Sequence, residues 1–211
     1  NRDESKYLNY MDQGTLIHRV IEKLYKPFIG KNLDVSDINF MKNQLKNESR
    51  NTFIELYSKE PIGKNLIFIE VVKEYIENTL NFELGQIKNQ NARIKIISLE
   101  KKLEYNLTIK NQNVKLKGII DRIDMFNDGV RIIDYKSGNV NSGVLDLRNI
   151  DKVKIDHKYS YLLQLLFYKY LFGMNDVNIQ IKEIGICSLK KRNLPFQFIK
   201  NQAILSLEEI Q

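Results

Sequence analysis

The sequence predicts an α/β (α+β) fold, a single domain with a mixed central sheet flanked by helices and a helical N-terminal region. Three observations carry this. Apolar residues recur at helical spacing through about the first ninety residues. The period then drops to two, and helical spacing returns once, near residue 160, between strand candidates. A chain of 211 residues is long enough to bury a core without disulfide or metal staples.

The first helix, over residues 14–28, is marked by Leu16, Val20, Ile21, Leu24 and Phe28, and Pro27 helps close it. Ser36 and Asp37 are placed to cap a second helix, which runs through Phe40, Leu45, Phe53 and Leu56 to Tyr57. Pro61-Ile62-Gly63 breaks that pattern, and a third helix runs from Lys64 through Val71, Tyr75 and Leu80 towards Leu84. The helical region thus covers residues 1–92 and the sheet core residues 93–211. Strand periodicity begins at Ile94-Lys95-Ile96, continues over residues 103–109, and turns at Asn111-Gln112-Asn113 into Val114-Lys115-Leu116. Residues 137–156 form a long polar connection containing Gly138 and Gly143. A helix over residues 159–172 ends at Gly173, strands follow at 179–189 and 196–199, and a short acidic helix closes the chain at 207–210. There is no internal repeat and no Ser/Gly-rich linker.

Composition narrows the function classes. A net charge of +7 and a pI near 9.2 tilt towards a polyanionic partner. The single Cys187 excludes an intramolecular disulfide and leaves no cysteine set for zinc or an iron–sulfur cluster. No apolar run approaches the roughly 20 residues of a membrane span, and no signal peptide opens the chain. The expected compartment is the reducing cytoplasm, with no membrane partner. A start at Asn1 rather than Met, with polar residues following, suggests a segment excised from a larger protein.

The most informative stretch is Gly118-Ile119-Ile120-Asp121-Arg122-Ile123-Asp124, followed by Ile132-Ile133-Asp134-Tyr135-Lys136. It sets carboxylates and a lysine among isoleucines, where an ionised Asp costs several kcal/mol unless a metal or a cation compensates it. Between the runs, Asp128-Gly129 reads as a two-residue type I′ hairpin loop. That register sets Asp121 across from Lys136 and makes Asp134 its diagonal neighbour. With period-two alternation, Asp121, Asp134 and Lys136 then share one face. A three-residue loop would move Asp121 to the other face. Arg122 and Asp124 point away, as expected for a structural ion pair. An isolated D-x-K in a strand is more often a structural pair than a site; Asp121 on the same face changes that balance.

Two carboxylates and a main-chain carbonyl at one point suit a hard, oxygen-seeking divalent ion such as Mg²⁺ or Mn²⁺. Lys136 on the same face would orient an attacking water or stabilise a developing anion. Whether it acts as base or as electrostatic stabiliser stays open at this stage.

Four ordered blocks resemble the PD-(D/E)XK nuclease superfamily, and within it the RecB/AddB-type nuclease domains. They are Gly14-Thr15-Leu16-Ile17-His18-Arg19-Val20-Ile21-Glu22, the Gly118-to-Asp124 run, Asp134-Tyr135-Lys136-Ser137-Gly138, and Gln164-Leu165-Leu166-Phe167-Tyr168. The resemblance implies a restriction-endonuclease-like core and a metal-dependent DNA nuclease, an exonuclease rather than an endonuclease, in DNA end processing and recombinational repair. It implies Asp121, Asp134 and Lys136 as catalytic residues. His18, Asp121, Asp134 and the Tyr135 carbonyl are implied as ligands of Mg²⁺ or Mn²⁺, and Gln164 and Tyr168 as supporting residues. Glu100 resembles a further acidic position, with Glu104 as a competing alignment. Many relatives carry four cysteines that hold an iron–sulfur cluster; Cys187 alone implies a member without it. The implied partners are DNA and a helicase region in the parent chain or on another subunit. Lys152, Lys154 and Lys158, just before the Gln164 helix, fit contacts to phosphate, as do Lys190, Lys191 and Arg192. The alternative is an inactive nucleic-acid-binding or scaffold module on the same fold. Phosphotransfer on a nucleotide is a third reading and would need a closed small-molecule pocket.

Overall fold

The computed structural model describes residues 10–176 and 179–201. Helices α1 (Tyr10–Tyr25), α2 (Val35–Tyr57) and α3 (Lys64–Gln90) come first, followed by β1 (Ile94–Ile109), β2 (Gln112–Phe126) and β3 (Gly129–Lys136). Three short 3₁₀ segments lead into α4 (Ser160–Asn175), β4 (Ile181–Ser188) and β5 (Phe196–Phe198). The strands order as β1-β2-β3-β4-β5. Only β3 and β4 are parallel, so the sheet is mixed as predicted. The parallel pair requires a crossover, which α4 supplies.

Several boundaries differ from the sequence reading. The first helix starts at Tyr10, before Gly14, and tightens into a 3₁₀ turn at Lys26–Phe28. The cap of α2 is Asp34 rather than Ser36-Asp37. The Asp34 carboxylate accepts the Asp37 amide and the Asp37 carboxylate accepts the Asp34 amide, a reciprocal box. The long β1 continues through residues 97–102, and its turn into β2 is Lys110-Asn111, both at positive φ (46° and 63°). Gly173 does not stop α4, because the last turn continues to Asn175, whose side-chain amide donates to the Leu171 carbonyl. The helix expected at 207–210 lies outside the described residues.

The β2–β3 loop is Asn127-Asp128, not Asp128-Gly129: Phe126 pairs with Gly129, Met125 with Val130 and Ile123 with Ile132. Asn127 takes the left-handed conformation at φ 52°. Gly129 instead lies in the strand, where a Cβ would fall 2.3 Å from the Lys182 side chain. The loop moves by one residue and keeps its length, so every pair shifts by two and parity survives. Asp121 therefore falls opposite Asp134, next after the Arg122–Ile133 pair, and not opposite Lys136.

Two layers cover the sheet. Helices α1 to α3 bury Leu16, Val20, Ile38, Phe53, Val72 and Leu80 against Ile94, Ile96, Ile133 and Tyr135. On the other face α4 and the 3₁₀ segments pack Leu147, Leu162, Leu165 and Phe172 against Ile120, Ile123, Ile132 and Ile186. Strand alternation breaks once on β2. Gly118 abuts Leu171 and Tyr168 of α4 and Ile120 lies in the same layer, yet Arg122 and Asp124, equally even-numbered, point to the helical layer opposite. Across from this break, Glu100 of β1 has φ 47°.

On the α1–α3 side the sheet buries a balanced set of charges. Arg131 grips Asp124 through Nε (2.8 Å) and Nη2 (2.9 Å). Arg122 donates to Asp124 (2.8 Å) and to the Tyr135 hydroxyl (3.2 Å), and its Nη2 lies 2.8 Å from Glu83 of α3. The Tyr25 hydroxyl of α1 donates to Glu83 (2.5 Å). None of the four charged side chains is more than 2 % exposed. Burial pushes the Asp124 carboxyl up, but Arg122 and Arg131 outweigh it and hold it below the ordinary carboxylate range.

Removing one member leaves the others charged and uncompensated. Asp124→Ala is expected to lose about 3–5 kcal/mol in urea unfolding; a loss below about 1 kcal/mol would show that the set does not act as a unit. Cys187 is fully buried beside Thr79, and burial pushes its thiol up to about 12. At pH 8 the folded protein should therefore be inert to thiol reagents and should react only on unfolding. Rapid labelling of the native chain would contradict this placement.

Candidate active site

The site forms where the β2–β3 ladder ends. Arg122–Ile133 is the last pair, and beyond it the Tyr135 amide donates to Oδ2 of Asp121 at 2.7 Å. Register sets Glu100 of β1 opposite Asp121, between the Leu99–Arg122 and Lys101–Ile120 pairs. Glu100, Asp121 and Asp134 thus stand in a row across three adjacent strands. The left-handed backbone at Glu100 costs on the order of 1–3 kcal/mol and turns its carboxylate into this row. The competing Glu104 lies far out on the hairpin, paired with Lys115 and Lys117, and takes no part.

His18 reaches the row from α1, which carries Leu16, Ile17 and Val20 on its buried side. Its Nε2 lies 3.1 Å from the Tyr135 carbonyl, while Nδ1 lies 3.5 Å from Asp121 Oδ1 and 3.8 Å from Glu100 Oε1. Burial disfavours the imidazolium, but hydrogen bonding to Asp121 and Glu100 and the charges of Asp121 and Asp134 outweigh it, pushing the ring up to about 10. The ligand atoms of His18, Glu100 and Asp121 all lie within 4.8 Å of one another. Asp134 stands beside this tightest group rather than in it. Glu22, one turn beyond His18, pairs instead with Arg19.

Asp134 is nearly buried, with side-chain exposure of 3 %. Gln164 of α4 donates to its Oδ1 (3.1 Å) and to the Tyr168 hydroxyl (2.8 Å). The Lys136 ammonium lies 2.7 Å from Oδ2, yet that oxygen receives no aligned hydrogen bond. Burial first, and then the charge of Asp121, push the Asp134 carboxyl up to about 6 against the pull of Lys136. Each aspartate thus has one oxygen fixed by an amide donor and the other turned to the site. This is how outer groups commonly orient metal-binding carboxylates.

The residues fit a divalent ion of the Mg²⁺ or Mn²⁺ kind. Their donors are carboxylate oxygens, one main-chain carbonyl and one imidazole, and Asp134, opposite Asp121 on the next strand, keeps a buried oxygen without a hydrogen bond beside the Lys136 ammonium. The thiol of Cys187 packs against Thr79 in the opposite layer.

The residues that the sequence reading assigns to one site, His18, Glu100, Asp121, Asp134, Tyr135, Lys136, Gln164 and Tyr168, all meet here. That reading misses Tyr161, whose ring lies 5.4 Å under the Lys136 ammonium. The available signal is its position one turn before Gln164, on the same stripe of α4. The three lysines expected to meet phosphate stand at the N-terminal end of α4. Lys152 and Lys158 flank the Tyr159 ring, Lys158 pairs with Asp156, and Lys154 has no side-chain partner among the described residues. No described helix is long and apolar enough to cross a membrane.

Comparison with known proteins identifies the family. An uncharacterised protein of Rickettsia conorii is 29% identical over 138 residues, covering 61% of this chain and 15% of its own. A Streptococcus pyogenes protein, named as one of the subunits of an ATP-dependent helicase/deoxyribonuclease, is 28% identical over 138 residues, covering 65% of this chain and 12% of its own. The chain therefore matches only a small part of the length of these relatives. The crystal structure of SSO0001 aligns over 97% of this chain and 83% of its own at 16% identity, with a TM-score of 0.33, too distant to bear on the fold. The PD-(D/E)XK nuclease superfamily profile matches residues 2–203, and with its blocks converging on one metal-ready row of carboxylates, the chain belongs to that superfamily.

Proposed function

We propose that this domain is a Mg²⁺- or Mn²⁺-dependent deoxyribonuclease acting on DNA ends in recombinational repair, as an exonuclease rather than an endonuclease. The observation that carries the reading is the convergence of Glu100, Asp121, Asp134 and His18 beside Lys136 where two strands part. Support for the end-processing context comes from the streptococcal relatives, whose names join a helicase to a deoxyribonuclease. On this reading the chain is one nuclease domain of a larger protein and works in the cytoplasm with a helicase, either in the same chain or on a separate one.

Asp121, Asp134, His18 and the Tyr135 carbonyl would hold the ion, with Glu100 alongside. When bound, it supplies positive charge that acidifies a nearby water and offsets charge gathering on the phosphate. The chain's own residues do the rest. Gln164 fixes the Asp134 carboxylate so that Oδ2 faces the site, and the Tyr135 amide does the same for Asp121. Lys136, steadied over Tyr161, is 23 % exposed and so faces the opening. There its ammonium orients the attacking water and stabilises the anion that develops as the phosphodiester is hydrolysed. Lys152, Lys154 and Lys158 hold the flanking phosphates at the same end of α4.

The test is cleavage of linear single- and double-stranded DNA. Wild type should release nucleotides with Mg²⁺ or Mn²⁺ and stop in EDTA. Asp134→Ala and Lys136→Ala should each lose about 10²-fold or more in rate. Identical background product from wild type and both variants would sink the reading and leave a binding module.

A further inference from the structure

On the β5 edge of the sheet runs a groove of about 550 Å³ that the mechanism above does not use. Its lining includes Lys191, Arg192, Leu194, Phe196, Phe198 and Lys200, and no acidic residue. Arg192 is paired with Glu74 of α3, whereas the ammonium groups of Lys191 and Lys200 have no carboxylate partner among the described residues. Leu194 is 69 % exposed at the rim. The groove thus combines apolar surface with two cations that no described carboxylate pairs.

The chain links it to the catalytic row through the segment from Lys136 to Ser142. Strand β5 lies two strands from β3, about 10 Å across the sheet. The segment following Lys136 is anchored to the end of β4: Leu189 N–H donates to the Lys136 carbonyl (3.0 Å) and the Ser188 hydroxyl to the Gly138 carbonyl (2.8 Å). The segment then arrives at the groove wall at Ser142. Phe196 and Phe198 face the α1–α3 layer under the Arg131 guanidinium, whereas Lys136 faces α4. A strand held at Lys136 would therefore round the β5 edge of the sheet to enter the groove.

We propose that this groove holds single-stranded DNA, with phosphates at Lys191 and Lys200 and bases against the apolar surface around Leu194. Sequence-tolerant binding of single strands uses this combination of a positively charged track and apolar contact for the bases. A duplex presents its bases stacked inside and cannot lay them on this surface. The inference rests on the nuclease reading for the choice of DNA, but its test does not need cleavage.

The test is fluorescence anisotropy of a labelled oligothymidylate dodecamer with the whole chain in EDTA, so that nothing is cut. Lys191→Ala/Lys200→Ala changes only side chains without ion partners among the described residues and should leave the fold intact, which circular dichroism checks. Affinity for the dodecamer at low salt should fall about tenfold, and the log–log salt dependence should become shallower by about 1.4, the value for two phosphates on a single strand. Leu194→Ala, exposed and uncharged, should weaken binding without altering that slope. Unchanged affinity and slope in the double variant would overturn the proposal. So would an equal loss for a blunt duplex, which assigns the lysines to general duplex attraction. A dimer-to-monomer change in sedimentation with dodecamer binding intact would also overturn it, making the groove an interface between copies. Should DNA cleavage prove absent while dodecamer binding still depends on these lysines, the nuclease reading fails and the groove assignment stands.

Discussion

The structure hangs on the buried set of two arginines and two carboxylates beneath β2 and β3. Arg131 and Asp124 are cross-strand neighbours, so their bidentate contact fixes the register of the hairpin. Arg122 carries that constraint to Glu83 of α3, and Tyr25 carries it to α1. Four charges of this kind are costly to desolvate, and well-packed apolar residues could hold a sheet on helices at least as firmly. What the set adds is geometric: a one-residue slip of the hairpin would separate Asp124 from Arg131 and bury both unpaired.

That constraint explains why the opposite face can hold a row of carboxylates. Glu100, Asp121 and Asp134 repel one another, and Asp134 is held where burial alone already disfavours its charge. Strands free to slide would relax the row by shifting register. Here the last ladder pair, Arg122–Ile133, is pinned from below by Arg122, and the strands part only above it. The parting releases the Tyr135 amide and carbonyl to Asp121 and His18. The main chain thereby joins the site without an unsatisfied buried group.

Much of this is legible in the sequence because it depends on parity and order, which a sequence states directly. Asp121, Asp134 and Lys136 fall on one face even with the loop read one residue too late. Asn127 and Gly129 both tolerate positive φ; Asn127 takes it here, its amide donating to the Arg93 carbonyl and its side-chain oxygen accepting the Arg93 amide, partners a local reading of the loop does not supply. Other features depend on distant partners and leave no local mark. Nothing local in the sequence marks Arg131 as buried; Asp124 and the Phe126 ring, 4.2 Å from its guanidinium, enclose it. Glu100 can be told from Glu104 only by the register of a long hairpin and by a left-handed residue that no propensity favours. Asp34 gives way to Ser36 as the expected cap because Ser is as good an N-cap as Asp and the chain entry angle is not written locally.

The alternation of β2 has one more consequence. Asp121 faces the site while Arg122 and Asp124, one and three residues on, face the buried charges. The two sets meet through Tyr135, whose main-chain amide serves Asp121 and whose hydroxyl serves Arg122. Selection on the two sets can still act separately, since the link on the site side is main chain. A lineage that stopped needing hydrolysis would be free to lose Asp121 or Lys136 by drift while Arg122 and Asp124 stayed under constraint for folding. In a collection of descendants, the pattern of substitution along this strand would date the loss of activity before any assay was run.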